Sequence, residues 1–412
     1  MRLEEADHAR LAGEGGAAAA IAMELVVAAG RAMGAGSLLE IAGAHVDGCL
    51  YHGLASLDFA EKLASTGGEV VVPTSLNVSS LDLLHPDLYR GDPLIAGRAK
   101  GLMDAYVAMG CSPTWTCAPY QLSARPSFGE QVAWGESNAI VFANSVLGAR
   151  TNRYGDFLDI SCALTGRAPA TGLHTDEGRR ATIRLDVVVP GSWLDDDLFY
   201  VVLGHKLGHE VGTEVAVVVG LDERADEDRL KALGAAAASS GAVGLFHIAG
   251  VTPEAPTVDA ACQGSSPRRV IEIDAEDLRH VLADLSSPST TLGAVSVGTP
   301  HASRSELGVL ARLVAGRATR VPFYVNTGRE VLAQADVDGH VAVIEEFGAT
   351  IVTDTCTYIT PVMRPSPGAV MTNSGKWAHY APGNLGVEVV LATLTDCVES
   401  AVTGRVVVGG LA

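Results

Sequence analysis

From residue 183 the chain reads IRLDVVVPG (183–191), then EVAVVVGLDE (214–223), AVGLFHIAG (242–250), RRVIEIDAEDL (268–278) and LGAVSVGTPHAS (292–303). Each is a short apolar run rich in β-branched residues and bounded by Gly, Pro or acidic residues. That is the pattern of strands buried on both faces. Helical stretches such as DEDRLKALGAAAASS (226–240) and RSELGVLARLVAGR (304–317) lie between them. Strands alternating with helices predict an α/β fold, with mostly parallel sheets flanked by helices. The rhythm continues through residues 321–356, ending at Cys356.

The first half is less regular. Residues 4–35 predict two helices broken at Gly13–Gly16. LLEIAGAHVDG (38–48) reads as one short strand, and GGEVVVPTSLN (67–77) as a buried strand centred on Val70, Val71 and Val72. Helices are expected over 91–110 and 129–148. The whole chain, 1–412, reads as one catalytic assembly. Its expected division is 1–182 plus 335–412 as one subdomain and 183–334 as a parallel α/β unit.

A formal net charge of −19 excludes nucleic acid as a partner, since no basic block offsets it. No run of 18 apolar residues predicts a membrane span. The acidic start, MRLEEADHAR, is unlike a signal peptide, so a cytoplasmic protein is expected. Seven cysteines without a secretion signal point to free or metal-bound thiols.

The chemistry concentrates in a few places. Cys117 sits in MGCSPTWTCAPYQ (109–121), and Cys356 and Cys397 flank a polar block holding Asn373, Ser374, Lys376, His379 and Tyr380. Three thiolates from distant parts of a chain suit an iron centre with an open position. Small buried hydrophobes are the bland alternative, because no CxxC spacing is present. His45 and His52 flank Asp47 and suit an acid–base pair; structural histidines read equally well. Arg150, Asn152 and Arg153 make a carboxylate or phosphate clamp. Glu136, Ser137, Asn138, Asn144 and Ser145 crowd an otherwise apolar stretch and must find partners. His301 follows a strand at the sheet's carboxyl edge. HKLGH (205–209) pairs two histidines at i, i+4 but lacks the glutamate of a zinc protease, so a packing or surface role is expected. No GxGxxG after a strand and no Walker loop occurs, which excludes dinucleotide and ATP chemistry.

Taken together, AHVDGCLYHG (44–53), VPTSLNVSSLD (72–82), PTWTCAPYQ (113–121), the long run 129–160, TGLHTDEGRR (171–180), HIAGVTPEAP (247–256), VGTPHAS (297–303), DTCTYITP (354–361) and MTNSGKWAHYAP (371–382) resemble the large, catalytic part of aconitase X. The resemblance spans nearly the whole chain. It implies the aconitase-superfamily catalytic core without its swivelling domain. It implies a hydro-lyase that dehydrates cis-3-hydroxy-L-proline to pyrroline-2-carboxylate, or alternatively mevalonate 5-phosphate. It further implies an iron or iron–sulfur centre on Cys117, Cys356 and Cys397. Catalytic roles fall on His45, His52 and Lys376. Contacts to a small carboxylate substrate fall on Asn77, Ser137, Asn138, Arg150, Thr151, Asn152, Arg153, His174 and Ser374. A separate small swivelling-domain subunit is implied as partner. Two readings from other classes stand beside it: a cysteine hydrolase built on Cys117 and a histidine, and a non-catalytic scaffold subunit.

Overall fold

The strand-rich second half folds as its sequence predicts, and the first half adds a smaller parallel sheet of its own. A computed structural model describes residues 1–411. It divides into two units, residues 1–81 with 91–180, and residues 82–90 with 181–412.

In the first unit, α1 (Glu5–Leu11) and α2 (Ala17–Ala32) precede β1 (Leu38–Glu40) and β2 (Gly43–Val46). Then follow α3 (Leu54–Ser65), β3 (Thr74–Leu76), α4 (Pro93–Ala108), β4 (Val132–Trp134), α5 (Ser137–Phe142), α6 (Leu158–Thr165) and β5 (Arg167–Pro169). A parallel sheet of order β3-β2-β4 is its centre, and β1 pairs β5 antiparallel. The single strand expected over 38–48 is therefore two strands in different sheets. The expected strand at Val70–Val72 starts instead at Thr74, because Pro73 offers no N–H to a ladder and Val71 is exposed. The helix expected over 129–148 also differs. Val132–Trp134 pairs with β2 as a strand, and the helix begins only after the Glu136 side chain accepts the Ala139 N–H as its cap. The segment Ala143–Leu147 widens into a π turn.

The second unit holds β6 (Ile183–Val188), α7 (Asp197–Val211), β7 (Ala216–Val219), α8 (Glu227–Gly241), β8 (Phe246–Ile248), α9 (Val258–Ala261), β9 (Arg269–Asp274) and α10 (Ala275–Asp284). Next come β10 (Leu292–Ala302), α11 (Arg304–Val314), β11 (Phe323–Thr327), α12 (Arg329–Val337), α13 (His340–Glu346) and β12 (Ala349–Val352). The unit ends with β13 (Ala369–Thr372), α14 (Gly375–Leu385), β14 (Val389–Leu391) and α15 (Leu394–Thr403). Two all-parallel sheets result, β8-β7-β6-β9 and β12-β11-β10-β13-β14. The division expected from sequence is corrected here. Residues 335–412 belong with 181–334, because β12 bonds β11 and β13 bonds β10 inside one ladder.

Helices α7 and α8 meet backbone to backbone. A Cβ on Gly204 would stand 2.2 Å from the Leu233 carbonyl oxygen, and one on Gly241 would stand 1.8 Å from that of Gly208. A methyl there cannot be relieved by turning a side chain. Gly204→Ala is expected to destabilise the protein by about 3 kcal/mol, the upper part of the overpacking range. Urea denaturation checks this, and a midpoint equal to wild type would mean that the helices separate at little cost.

Candidate active site

Open parallel sheets place ligand-binding loops beyond the carboxyl ends of their strands. In the first unit those loops carry Asp47 after β2, Asn77 after β3, and Glu136 and Ser137 after β4. His45, on β2, is fully buried, with Nδ1 2.8 Å from Ser75 Oγ and its ring 5.8 Å from that of Trp134. Its Nε2 is buried without a hydrogen-bond partner. The Asn77 amide donates to Asp47, and the Asp47 N–H donates to Asp159 at 2.6 Å. Asp159 is fully buried, and burial raises its carboxyl to about 7, above the usual carboxylate range. His52 is exposed, whereas His45 is not, so the two do not form the matched pair expected around Asp47.

Much of the polar crowding in this unit serves the frame. The Asn138 amide donates to the Cys117 carbonyl at 3.0 Å, and its Oδ1 accepts from the Tyr120 hydroxyl at 2.7 Å. Thr151 Oγ1 accepts from the Trp134 N–H and donates to the Asn152 carbonyl. Asn152 donates to the Thr171 carbonyl and accepts from the Leu173 N–H. His174 holds Gln131 on Nδ1 and the Tyr154 hydroxyl on Nε2. Arg150 is ion-paired with Asp176 at 2.5 Å, while Arg153 is exposed. Asn138, Thr151, Asn152 and His174 therefore hold the loops that carry Cys117 and Ser137. The sequence shows that such groups must be paired but not with what.

In the second unit the corresponding edge is richer. His301 closes β10 and Cys356 lies in the loop after β12, and their ligand atoms fall within 4.8 Å of one another. Both are buried. His301 Nε2 lies 3.2 Å from the Thr355 carbonyl oxygen. An Nε2–H donated there leaves Nδ1 with its lone pair, the second-shell arrangement of metal-bound imidazoles.

The loop itself is braced. Thr353 donates both N–H and Oγ1–H to Asp82, at 2.8 and 2.9 Å. Asp354, at a left-handed φ of 59°, accepts Arg329 through two bonds (2.5 and 2.6 Å) and the Leu83 N–H at 2.9 Å. Burial nonetheless raises the Asp354 carboxyl above its ordinary range, outweighing the guanidinium. Thr357 Oγ1 joins Ser296, Asn326 and the Trp377 indole N–H. After β13, Ser374 caps α14 by accepting the Trp377 N–H at 3.0 Å, and Lys376 follows on the first turn, 4% exposed.

Cys397 does not join this pair. It lies on α15 in the apolar core with Val297, Met371, Val398 and Ala401. Burial pushes its thiol far above the ordinary range, and an acidic neighbour, Asp396, adds to that effect. A thiol in that setting packs as a small hydrophobe. Cys397 is not among the donor atoms that the structure brings together with His301 and Cys356.

Domain models of one family match almost the entire chain: the first domain of aconitase X over residues 1–177, the second over 180–283 and the third over 292–403. The chain belongs to the aconitase X family. It is 46% identical to the cis-3-hydroxy-L-proline dehydratase of Pseudomonas aeruginosa, over 98% of this chain and 70% of that protein. The enzyme of the same name from Hypocrea jecorina is 42% identical over 98% of this chain and 69% of its own length. The phosphomevalonate dehydratase large subunit of Methanosarcina mazei is 34% identical over 98% of both chains. The crystal structure of Thermococcus kodakaraensis aconitase X in its holo form superposes with a TM-score of 0.87 at 33% identity. The match covers 97% of this chain and all of that one. These relatives are named as dehydratases, and the chain is a hydro-lyase of their kind. No helix among its described residues is long and apolar enough to cross a membrane.

Burial makes this aconitase X chain sensitive to acid. His45 is held down to about 4 by burial, against a smaller opposing pull from Glu136. His174 is held down to about 4 by burial and then by Arg179 and Arg150. A base with a depressed folded pKa contributes stability that is present above its unfolded value near 6.5 and is lost as pH falls toward 4. Each is worth up to about 3 kcal/mol at 1.36 kcal/mol per pH unit. Asp159 works in the opposite sense, since its raised pKa favours the fold at low pH and loses that benefit as pH rises toward 7. Two histidines against one carboxyl leave a net loss of stability between pH 6.5 and 4. Denaturant titrations across that window should show it, and His174→Gln should flatten it. An unchanged slope in that variant would rule out His174 as a source.

Proposed function

We propose that this chain is the catalytic large subunit of a cis-3-hydroxy-L-proline dehydratase. The observation that carries the reading is the identity gap. The two hydroxyproline enzymes stand at 46% and 42%, and the phosphomevalonate large subunits at 31–35%. The reaction removes the proton from the carbon bearing the carboxylate and expels the 3-hydroxyl as water. The enamine that remains tautomerises to pyrroline-2-carboxylate.

The residues fit an iron centre by their donor chemistry. A buried thiol and a buried imidazole stand together, and the imidazole's second nitrogen lies beside a backbone carbonyl. Cys356 and His301 would hold it, as an iron ion or an iron–sulfur cluster, and Cys117 is a further ligand in this reading. When bound, iron supplies Lewis-acid chemistry that makes the hydroxyl a better leaving group. Lys376 and Ser374, at the N-terminal end of α14, orient the substrate carboxylate. Asn77, Ser137, Arg150 and Arg153 are the further substrate contacts in this reading. His45 and His52 are proton-handling candidates, and the buried His45, neutral at pH 7, is the better placed to accept one.

The base for the carbon acid comes from a small swivelling-domain subunit in this reading. The relative from Methanosarcina is named as a large subunit, which supports a small partner. A cytoplasmic setting, read from charge and composition, belongs to the same proposal.

The likeness to the Methanosarcina phosphomevalonate dehydratase large subunit, 34% identical, carries a second reading, mevalonate 5-phosphate as substrate. The test is an anaerobic assay of both compounds with a small subunit present, while the visible spectrum is recorded. Turnover of hydroxyproline by a coloured, iron-containing protein is expected. Turnover of the phosphate ester alone would transfer the chain to the second reading. A colourless, iron-free preparation that still hydrolyses esters or amides would favour a cysteine hydrolase. Inactivity on all of these after iron reconstitution would leave the scaffold reading.

A further inference from the structure

The cleft that holds Lys376 also holds oxygens for which the protein supplies no donor. Thr299, on β10, is 6% exposed, and its Oγ1 is buried without a hydrogen-bond partner. Asn373 Oδ1, between β13 and α14, is buried in the same state. Both residues line the cleft with Ser374, Lys376 and Glu306. A buried polar atom left unpaired costs free energy, which a ligand of the right polarity would recover.

Glu306 is the charged member of this set. Its Oε2 accepts the Ser303 N–H at 2.8 Å and the ammonium of Lys231. Lys231 is itself buried and also donates to Asp228 at 3.1 Å. The side chain is thus anchored by one oxygen. Its Oε1 has no hydrogen-bond partner among the described residues, and 32% of the side chain is exposed. Burial raises the Glu306 carboxyl above its ordinary range, with the Lys231 ammonium opposing it. A second cation at Oε1 favours the ionised form further.

We infer that Glu306, Asn373 and Thr299 form a subsite for the ring ammonium of the substrate, beside the carboxylate-orienting Ser374 and Lys376. The inference rests on the hydroxyproline reading and names the residues that select an amino acid. Carboxylate and amide oxygens only accept hydrogen bonds, so the group that completes them is a donor. A secondary ring ammonium brings two N–H donors and a positive charge. In a cyclic α-amino acid the ammonium and the carboxylate sit on one carbon, so their subsites adjoin. Asn373 and Ser374 are neighbours in the chain and put acceptor and donor side by side. Mevalonate 5-phosphate carries no nitrogen. Its anionic groups would leave these oxygens unpaired and be repelled by Glu306, which discriminates against it. Lys231 acts through Glu306 as a positioning residue.

Calorimetry on the holoenzyme tests this with two ligands, L-proline and tetrahydrofuran-2-carboxylate, in which an ether oxygen replaces the ring ammonium. Wild type should bind L-proline the more tightly, by about tenfold or more, the worth of a charge-assisted hydrogen bond. Glu306→Gln should remove that preference and leave the affinity for the ether near wild type. Thr299→Val keeps the shape of the side chain. It should weaken L-proline binding about threefold while the urea midpoint holds or rises, because an unpaired buried hydroxyl is gone. Equal losses for both ligands, or no preference in the wild type, would overturn the subsite. Hydroxyproline turnover alongside that result would leave the dehydratase reading standing. A preference for L-proline without hydroxyproline turnover would keep the subsite and remove the reaction.

Discussion

Replacing Cys356 by alanine is expected to abolish dehydration, with kcat/KM falling by about 10³ or more and the bound iron lost. The magnitude follows from the Lewis-acid contribution of a metal, several kcal/mol of transition-state stabilisation, at 1.36 kcal/mol per decade. The geometry singles out Cys356 within its unit. It shares a buried corner with His301, on a loop held by Asp82, Arg329 and Thr360. Because that bracing uses Thr353, Asp354 and Thr355, removing the thiol leaves the loop standing. The fold should therefore survive, and circular dichroism and the urea midpoint should stay near wild type. His301→Ala should lose iron as well. Cys397→Ala should keep its iron and lose only packing, about 1 kcal/mol for so small a side chain. Iron analysis of the three variants separates the ligand sets. Iron retained in Cys356→Ala, or lost selectively in Cys397→Ala, would reject the assignment made from the structure.

The contrast between those two cysteines shows what the sequence could carry. Cys356 stood out because it follows a strand, where α/β folds build their sites, and because polar threonines surround it. Cys397 looked equivalent in TDCVES, yet on α15 its side of the helix is the apolar one. A single turn of helix decides which face a residue shows, and one cysteine does not reveal that face. His301 was visible as a histidine at a strand end, but its partnership with Cys356 depends on β10 and β12 flanking β11 in the same sheet. That order also explains the misplaced division at 335. Strand sequences give their own burial but not their neighbours, so the last two parallel strands carried no sign of the ladder they join. Asp159 was hidden for a similar reason. Its raised pKa comes from complete burial on α6, within the stretch GDFLDI (155–160), which looks exposed in sequence. The α/β class itself was readable throughout, because period and composition report on layers even where they are silent on order.

The second large effect is expected at Lys376. Changing it to alanine should lower kcat/KM by about 10²-fold, chiefly through KM, with iron content unchanged. A lysine on the first turn of a helix sits at the positive end of the helix dipole, where a cation is disfavoured. Lys376 is also 4% exposed. It lines a narrow cleft with Thr299, Asn373 and Ser374, and Asn373 Oδ1 is buried there without a hydrogen-bond partner. The ammonium and the capping hydroxyl at this helix N-terminus are the donors that an anionic carboxylate would meet. A charge-assisted hydrogen bond to such a group is worth about 1.5–3 kcal/mol, which sets the size of the loss. Lys376→Arg should recover part of the affinity, since charge survives while reach and shape change. A purely structural lysine behaves differently, since its loss would lower the denaturation midpoint and leave KM alone. The split between KM, kcat and the urea midpoint therefore decides whether Lys376 holds the substrate or only the fold.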